Sequence, residues 1–513
     1  MSIENLMARW RSDHSVGDNI TAWHTIPARS AKYESFPNNL HPELENALHQ
    51  IGINALYSHQ AQAWRMSQEG HNTALVTDTA SGKTLGYNLP IFDQLLRRTD
   101  DRALYLFPTK ALAQDQLAGM NSILSACAKS NNLFAALYDG DTPRNARKLA
   151  RKNARIILSN PDMLHIGILP HHAAWFDFFQ NLRFVVVDEM HNYRGVFGSH
   201  VANVLRRLKR IANFYGRQPQ FMLTSATIDN PEELASALIE EQVICINQDG
   251  SARGPKHFLI YNPPIINPEL GLRASPLRES VRIVGDLLDH NLQTIVFGRS
   301  RRSVETMLKL IRDRLPLKDR NTVRAYRSGY LPQHRREIEQ SLRSSEVRAV
   351  IATTALELGI DIGGLNAAIL AGYPGTIAGA WQQVGRAGRG TNASIAVMVS
   401  SSNVIDQFLA NHPNYFFQRT PEQALINPDN LLILIQHIQC AAFELHFREG
   451  DSFGSLELSH VSALLNALID AGVLHQSKGK IFWMADHYPA AQISLRSASA
   501  NAISLKCPTE GGH

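Results

Sequence analysis

Apolar residues along this chain fall into short continuous runs separated by longer amphipathic stretches. Between Arg102 and Leu223 the runs are Ala103-Leu-Tyr-Leu-Phe107, Ala135-Ala-Leu-Tyr138, Ile156-Ile-Leu158, Phe184-Val-Val-Val187 and Phe221-Met-Leu223. Helical segments lie between them. Continuous rather than alternating apolar strands predict a parallel sheet covered on both faces. Ligands of such sheets bind in the loops that follow the strands. The pattern then repeats with His257–Tyr261, Thr294–Phe297, Ala349–Ala352, Ala367–Leu370 and Ser394–Val399 as strands. Helices are predicted over Ser280–Leu288, Ser303–Leu315 and Pro332–Leu342. Residues 247–256, with Gly, Ser, Asp and Pro, read as the linker between the two blocks.

The pattern changes after residue 421. Helices are predicted over Pro428–Phe447 and Leu458–Ala471. Val473-Leu-His475 and Ile481-Phe-Trp-Met484 follow as a hairpin with Gly479 in its turn. Helices followed by a small hairpin describe a winged helix, which either binds duplex or serves as a packing domain. Before the first block, residues 1–50 carry no identifiable chemistry. A capped helix is predicted over Pro37–Leu48, with Pro42 just inside its start.

Composition narrows the class. At 513 residues the chain exceeds one core, and a 44% hydrophobic, 19% charged composition is ordinary for a globular protein. No run of eighteen apolar residues is present, so no membrane helix is expected. The N-terminus lacks the basic and apolar regions of a signal peptide. Cys127, Cys245, Cys440 and Cys507 show no paired spacing, which predicts reduced thiols, a cytoplasmic location and no zinc within the chain. A net charge of +5 permits a polyanionic partner without requiring one.

The chemistry gathers around Thr77-Asp-Thr-Ala-Ser-Gly-Lys-Thr84, between the strand Thr73–Val76 and a helix predicted over Leu85–Leu96. Strand, tight loop and helix form the setting of a phosphate-binding loop, whose backbone N–H groups and helix N-terminus face the phosphates. Gly82 lets the chain pass close to them. Lys83 is placed to reach the β- and γ-phosphates, and the Thr84 hydroxyl to ligate Mg²⁺. The loop departs from G-x-x-x-x-G-K-[ST] at Thr77, and Ala80 stands where many loops carry another glycine. The alternative is an ordinary turn between strand and helix. Gln60, one helix upstream, offers the paired donor and acceptor that read an adenine edge, or is a surface glutamine.

Val187-Asp-Glu-Met-His191 ends a valine strand in two carboxylates. Asp188 can hold the Mg²⁺ that Thr84 touches, and Glu189 can orient and deprotonate a water. The helix read over Ser199–Phe214 carries Arg206, Arg207, Lys209 and Arg210 off its apolar face. That basic face is either solvated or a nucleic-acid contact. The second block ends in Gln382-Gln-Val-Gly385-Arg386-Ala-Gly388-Arg389-Gly390, where two arginines three apart share a side of the chain. Aimed across a cleft, they could neutralise charge on a γ-phosphate; otherwise they form a basic turn. The second block has no G-K-T of its own, so one nucleotide between two sheets is expected.

Together the motifs resemble those of superfamily 2 DEAD/DEAH-type helicases, from about Tyr57 to the end of the chain. The resemblance rests on their order: the Gln60 region, Thr77–Thr84, Phe107-Pro-Thr-Lys-Ala-Leu112, Ser159-Asn-Pro-Asp-Met163, Asp188–His191, Ser225-Ala-Thr227, Val296-Phe-Gly-Arg299, Ala352–Asp361 and Gln382–Arg389. More narrowly, the Thr77 loop, Asp139-Gly-Asp-Thr-Pro143 and Asn192-Tyr-Arg-Gly195 are similar to the MrfA/YprA-like bacterial DNA-repair helicases, in which Ala at position 80 is expected. The implied fold is α/β, with two tandem RecA-like parallel-sheet domains at 51–246 and 255–415. A mainly helical winged-helix-like domain follows at 421–490, with an N-terminal extension at 1–50 and a truncated tail at 491–513. Those helicases continue into a cysteine-rich zinc-binding domain. This chain ends at His513 with only Cys507 nearby, which implies a fragment or a shortened member.

The resemblance also implies roles. Tyr57 and Gln60 would recognise adenine, beside a loop of Thr79, Ala80, Ser81, Gly82, Lys83 and Thr84. Lys83, Thr84, Asp188 and Glu189 would bind and hydrolyse Mg-ATP. Ser225 and Thr227 would couple hydrolysis to strand binding. Pro108, Thr109, Asn160, Arg299, Thr353 and Thr354 would lie along the strand. Gly359 and Asp361 would line the cleft, and Gln382, Arg386 and Arg389 would face the γ-phosphate. The implied protein is a monomeric ATP-dependent DNA helicase or translocase that acts in repair on single-stranded or forked DNA, moving 3′ to 5′. An RNA helicase, or a nucleic-acid-binding scaffold with little ATPase activity, are the alternatives.

Overall fold

A computed structural model of the chain describes residues 3–127, 133–327, 329–357, 363–388 and 390–497. The first sheet has seven parallel strands, in the order Ile244–Ile246, Thr73–Val76, Gln220–Ser225, Leu182–Val187, Arg102–Leu106, Ile156–Ser159, Ala135–Leu137. The central strands are buried along most of their length because helices cover both faces. That explains why they read as unbroken apolar runs. Pairing of Val76 with Ser225, Val187 with Leu223 and Leu106 with both Val187 and Ser159 brings the strand ends into line. Every loop motif of this block therefore emerges along one edge.

The second sheet also has seven strands: Ile20–Ile26, Lys256–Tyr261, Ser394–Val399, Ala367–Ala371, Thr294–Gly298, Ala349–Ala352, Val323–Tyr326. Six are parallel. The seventh, Ile20–Ile26, lies antiparallel to Lys256–Tyr261 and comes from the N-terminal region. The helix Ile3–Ser12 adds Ile3, Leu6, Met7 and Trp10 to the same core, and the Trp10 indole donates to Asp286 Oδ2 at 2.9 Å. Burying such side chains contributes on the order of 2 kcal/mol each. The chain then returns to the first block, where Tyr33–Glu34 pairs with Leu56–Tyr57. The capped helix predicted nearby runs over Pro42–Gln50.

The C-terminal part packs Leu431–Glu444 and Leu458–Asp470 against a small three-stranded sheet, in the arrangement of a winged helix. In its hairpin Ser477 pairs with Lys480 across Lys478 (φ 49°) and Gly479 (φ 73°). Two successive left-handed residues form the turn whose twist matches the strands.

This part is fastened to the first block through the helix Gly195–Phe214, and there the expected basic face takes a third form, neither solvated nor a nucleic-acid contact. Arg207 is fully buried and grips the Glu444 carboxylate through Nε and Nη2. It also donates to Nδ1 of His165 (2.6 Å) and of His437 (3.3 Å). With Nδ1 accepting, His437 donates through Nε2 to His200 Nδ1 at 2.9 Å, and His200 Nε2 donates to the Ser497 carbonyl at 2.9 Å. Arg206 pairs with Glu240 and Asp429, Lys209 with Glu241. Arg210 donates to the carbonyls of Ala441, Leu445 and His446 and lies 3.9 Å over the Phe447 ring. Burial, joined by the Arg207 guanidinium, holds His165 and His437 well below the ordinary histidine range; burial alone lowers His200.

Removing one partner of a buried ion pair leaves the other uncompensated, at about 3–5 kcal/mol. Glu444→Ala is therefore expected to destabilise the junction by that amount, read as a lowered melting temperature and protease cleavage between the first block and the C-terminal part. The histidines give the pH sign. Unfolded, they take up protons near pH ~6.5; folded, they do not. Stability is thus expected to be full above that pH and to decline as pH falls below it, and His437→Asn should flatten the decline.

Candidate nucleotide site and nucleic-acid edge

The loop Thr77–Gly82 leaves the buried strand Thr73–Val76 and enters the helix Lys83–Arg97. The Thr77 hydroxyl meets the Ser81 hydroxyl at 2.6 Å, closing the loop where a glycine-start version has no side chain. Ala80 sits at φ 62°, a conformation that costs an L-residue about 1 kcal/mol and accounts for glycine there in many loops. Gly82 has φ 82°, and a Cβ on it would stand 2.7 Å from Gln60 Nε2. Lys83 Nζ donates to the carbonyls of Thr77 and Asp78, both at 2.8 Å. Burial lowers its pKa, and the carboxylates of Glu189, Asp188 and Asp78 oppose that shift.

The loop borders a cavity of about 670 Å³, lined by Thr79 to Thr84, Asp188, Glu189, Asp115, Arg343 and Arg386. Gly82, Thr84 and Gly119 also line a neighbouring, more apolar cavity of about 690 Å³ with Tyr33, Tyr57 and Gln60. The two make one trough, charged at one end and aromatic at the other. Tyr57 stacks on Tyr33 with centroids 5.2 Å apart. Gln60 is buried. Its Oε1 accepts from the Tyr57 N–H and its Nε2 donates to the Gly82 carbonyl, each at 2.9 Å. The amide thus ties the aromatic end of the trough to the phosphate loop.

Asp188 follows the strand Leu182–Val187 and accepts from the Thr224 hydroxyl, which in turn accepts from the Glu189 N–H at 3.1 Å. Burial first, then the adjacent Glu189 carboxylate, push Asp188 up to about 7. Glu189 holds a left-handed φ of 52°, local strain of the kind found at functional turns. Its carboxylate lies 3.4 Å from His191 Nδ1, which accepts from the Ala226 N–H at 3.1 Å. His191 therefore joins the carboxylate turn to Ser225–Ala226. Ser225 is buried beneath it, whereas Thr227 is exposed.

Two buried carboxylates with Lys83 as their near cation, and a threonine hydroxyl on the same cavity, fit a hard divalent ion. Among the described residues no three His, Cys, Asp or Glu side chains gather as a metal cage. Mg²⁺ there would need phosphate and water as further ligands, its usual habit.

From the second block, buried Arg386 reaches the phosphate cavity and donates through Nη2 to the Glu357 carbonyl at 2.7 Å. Arg343 lines the same cavity and pairs with Asp115 across the cleft at 2.9 Å. Gln382 instead lines a cavity of about 300 Å³ on the other side of the loop, with Thr79, Ala80 and Thr227. Gly359, Asp361 and Arg389 lie outside the described residues. Pro108, Thr109 and Asn160 follow adjacent strands of the first sheet, and Arg299, Thr353 and Thr354 follow adjacent strands of the second. Thr109 and Asn160 also cap helices, accepting from the N–H groups of Leu112 and Met163. Thr224, Tyr33 and Arg343 were not singled out from sequence, and His191 was quoted only as the end of the Asp188–His191 motif, with no role. Thr224 directly precedes the Ser225–Thr227 motif; Arg343 is one arginine of several on its helix.

A candidate phosphate loop with an acidic strand end facing a second sheet's arginine is the two-domain arrangement of the DEAD/DEAH class. Family models agree: "DEAD/DEAH box helicase" matches residues 57–234, "Helicase conserved C-terminal domain" 279–391, and "ATP-dependent helicase HRQ1, winged helix domain" 426–498. The chain is 48% identical over 494 residues to the uncharacterized ATP-dependent helicase YprA of Bacillus subtilis, covering 96% of this chain and 65% of that protein. It is 40% identical over 455 residues to the ATP-dependent helicase HRQ1 of Saccharomyces cerevisiae, covering 86% of this chain and 42% of that one. The crystal structure of the DUF1998 helicase MrfA bound to DNA and AMPPNP superposes with a TM-score of 0.91 at 46% identity, over 97% of this chain and 68% of MrfA. This chain belongs to the superfamily 2 DEAD/DEAH-box helicases of the MrfA/YprA type. It spans about two thirds or less of the length of YprA and HRQ1.

The Thr224 hydroxyl is central to this geometry, since it holds both Asp188 and the Glu189 backbone. Thr224→Val keeps shape and β-branching but leaves Asp188 without that donor. Folding is expected to survive, while ATP turnover drops by about tenfold or more and its acidic pH limb moves upward, as a pH–rate profile would show.

Proposed function

We propose that this chain is an ATP-dependent DNA translocase or helicase. One observation carries the reading: Lys83, Asp188 and Glu189 from the first sheet and Arg386 from the second line a single cavity. A nucleotide there would touch both domains at once. Thr79–Thr84 would cradle the phosphates and Tyr57 with Gln60 would border the adenine. Glu189 would orient and deprotonate the attacking water, and Arg386, joined by Arg389 and Gln382 as the family resemblance implies, would neutralise charge on the γ-phosphate. Mg²⁺ held at Asp188 and Thr84 would supply further neutralisation of the phosphates. Ser225, joined to Glu189 through His191, would carry the change with Thr227 to the strand-binding edge.

Pro108, Thr109 and Asn160 of one sheet and Arg299, Thr353 and Thr354 of the other would hold successive phosphates of one strand. As hydrolysis loosens the contact between domains, the two edges would separate and rejoin, moving the protein along the backbone. MrfA, of similar fold and sequence, is bound to DNA in two crystal structures, which favours DNA as the track. Movement 3′ to 5′ and a role in repair rest on the resemblance to the MrfA/YprA type.

Glu189→Gln is expected to bind ATP with near-normal affinity and lose about 10²–10⁴-fold in turnover. Wild-type turnover should be stimulated by single-stranded DNA of any sequence, more weakly with each rise in salt, because phosphate contacts release counterions. Stimulation by RNA in place of DNA would reassign the track, and retained turnover in Glu189→Gln would contradict the proposed base.

A further inference from the structure

Before its C-terminal part, the chain crosses between the two sheet domains twice. Residues 27–32 lead from the strand Ile20–Ile26 back to the first domain, and residues 247–255 lead from the first domain to Lys256–Tyr261. The crossings run antiparallel and hydrogen-bond to each other. The Arg29 N–H donates to the Arg253 carbonyl (2.8 Å), the Arg253 N–H to the Arg29 carbonyl (2.9 Å), and the Lys32 N–H to the Gly250 carbonyl (2.8 Å). The hinge is therefore a two-stranded ribbon.

Its two arginines point at the phosphate loop. Arg253 Nη1 lies 2.9 Å from Asp78 Oδ2, and Arg29 Nη2 lies 3.9 Å from the same oxygen. Arg29 is itself fixed by Asp249 Oδ2 (2.6 Å) and the Ser251 carbonyl (3.0 Å). The Asp78 carbonyl accepts from Lys83 Nζ. On the other side, the Gly254 N–H donates to the Gly390 carbonyl at 3.0 Å, and a Cβ on Gly254 would stand 2.1 Å from the Asn392 carbonyl oxygen. The backbone next to Arg253 is thus pinned to the segment that follows Arg386. A continuous series of contacts runs from that segment through Gly254, Arg253 and Asp78 to Lys83.

We propose that Arg253 and Asp78, steadied by Arg29, are a positioning pair that transmits the angle between the two domains to the phosphate loop. Arg253 and Asp78 are partly exposed, at 27% and 42% of their side-chain surface. A pair this exposed adds little stability. Its value lies in where it connects. The inference rests on the motor reading above, in which nucleotide and DNA each favour the same domain arrangement. Their binding is then coupled, and the coupling is reciprocal.

The test measures affinity for a fluorescein-labelled oligothymidylate with and without AMPPNP, for the 513-residue chain and for Arg253→Ala, Asp78→Asn, the double variant and Arg253→Lys. The ratio of the two affinities is the coupling. It should fall about fivefold or more in each single variant, and no further in the double one, because the two side chains act as one unit. Arg253→Lys, which keeps the charge, should retain most of it. Lost packing alone would lower melting temperature without this non-additivity. Single variants that keep the wild-type ratio, or losses that add in the double variant, would overturn the proposal. A wild-type chain whose DNA affinity ignores AMPPNP would contradict the motor reading and the pair together. Intact coupling in wild type and variants alike contradicts the pair alone.

Discussion

Asp188 is the residue on which the rest of the proposed nucleotide site depends. A carboxylate buried at the end of a valine strand stays ionised only if its surroundings replace lost water. Here the surroundings are the Thr224 hydroxyl, the Lys83 ammonium and an opening onto the phosphate cavity. With Glu189 beside it, burial holds Asp188 near neutrality, so a bound cation would bring it to full charge. The same Thr224 oxygen fixes the Glu189 backbone in a strained turn, and His191 ties that turn to Ser225–Ala226. The proposed nucleotide site and the strand ends of the first sheet are thus joined through Asp188, Thr224, Glu189 and His191.

The rest of the molecule keeps that site in register. The helix Gly195–Phe214 begins shortly after the carboxylate turn and carries Arg206, Arg207 and Arg210 into the C-terminal part. A buried ion pair contributes little net stability compared with apolar packing, but it penalises every misplacement of its partners. The three histidines, the arginine and Glu444 therefore fix the orientation of the winged helix on the first domain. On the other flank the N-terminal strand binds the second sheet before the chain re-enters the first, so two chain crossings bound the cleft.

How much of this was legible follows from which forces act locally. Thr73–Val76, Ala349–Ala352 and Ser394–Val399 run where their apolar stretches predicted, because a parallel strand covered on both faces needs every side chain apolar. Two parallel-sheet domains were legible for the same reason, and the winged helix from two helices followed by a hairpin with a glycine turn. Ile20–Ile26 was not. It is a half-exposed edge strand with Thr21, His24 and Thr25 on it, and its partner lies more than two hundred residues away. The basic residues of Gly195–Phe214 were visible, but their acceptor Glu444 is 237 positions distant, beyond any local pattern. Gln60 stood out as an amide near a loop, yet nothing in the sequence told that Gly82 would accept from it. Long-range polar partnerships are where pattern reasoning stopped.

In the proposed motor, a nucleotide bridging the two sheets governs the angle between them. The most direct measurement is a distance distribution between spin labels on exposed positions of each domain, Asp100→Cys and Lys318→Cys, with Cys245 and Cys507 replaced by serine. It would be recorded without ligand, with AMPPNP and single-stranded DNA, and with ADP and DNA. One narrowed distribution is expected with AMPPNP and DNA, distinct from a broader one with ADP, and Lys83→Ala should lose that narrowing. Superimposable distributions in all three states would contradict it.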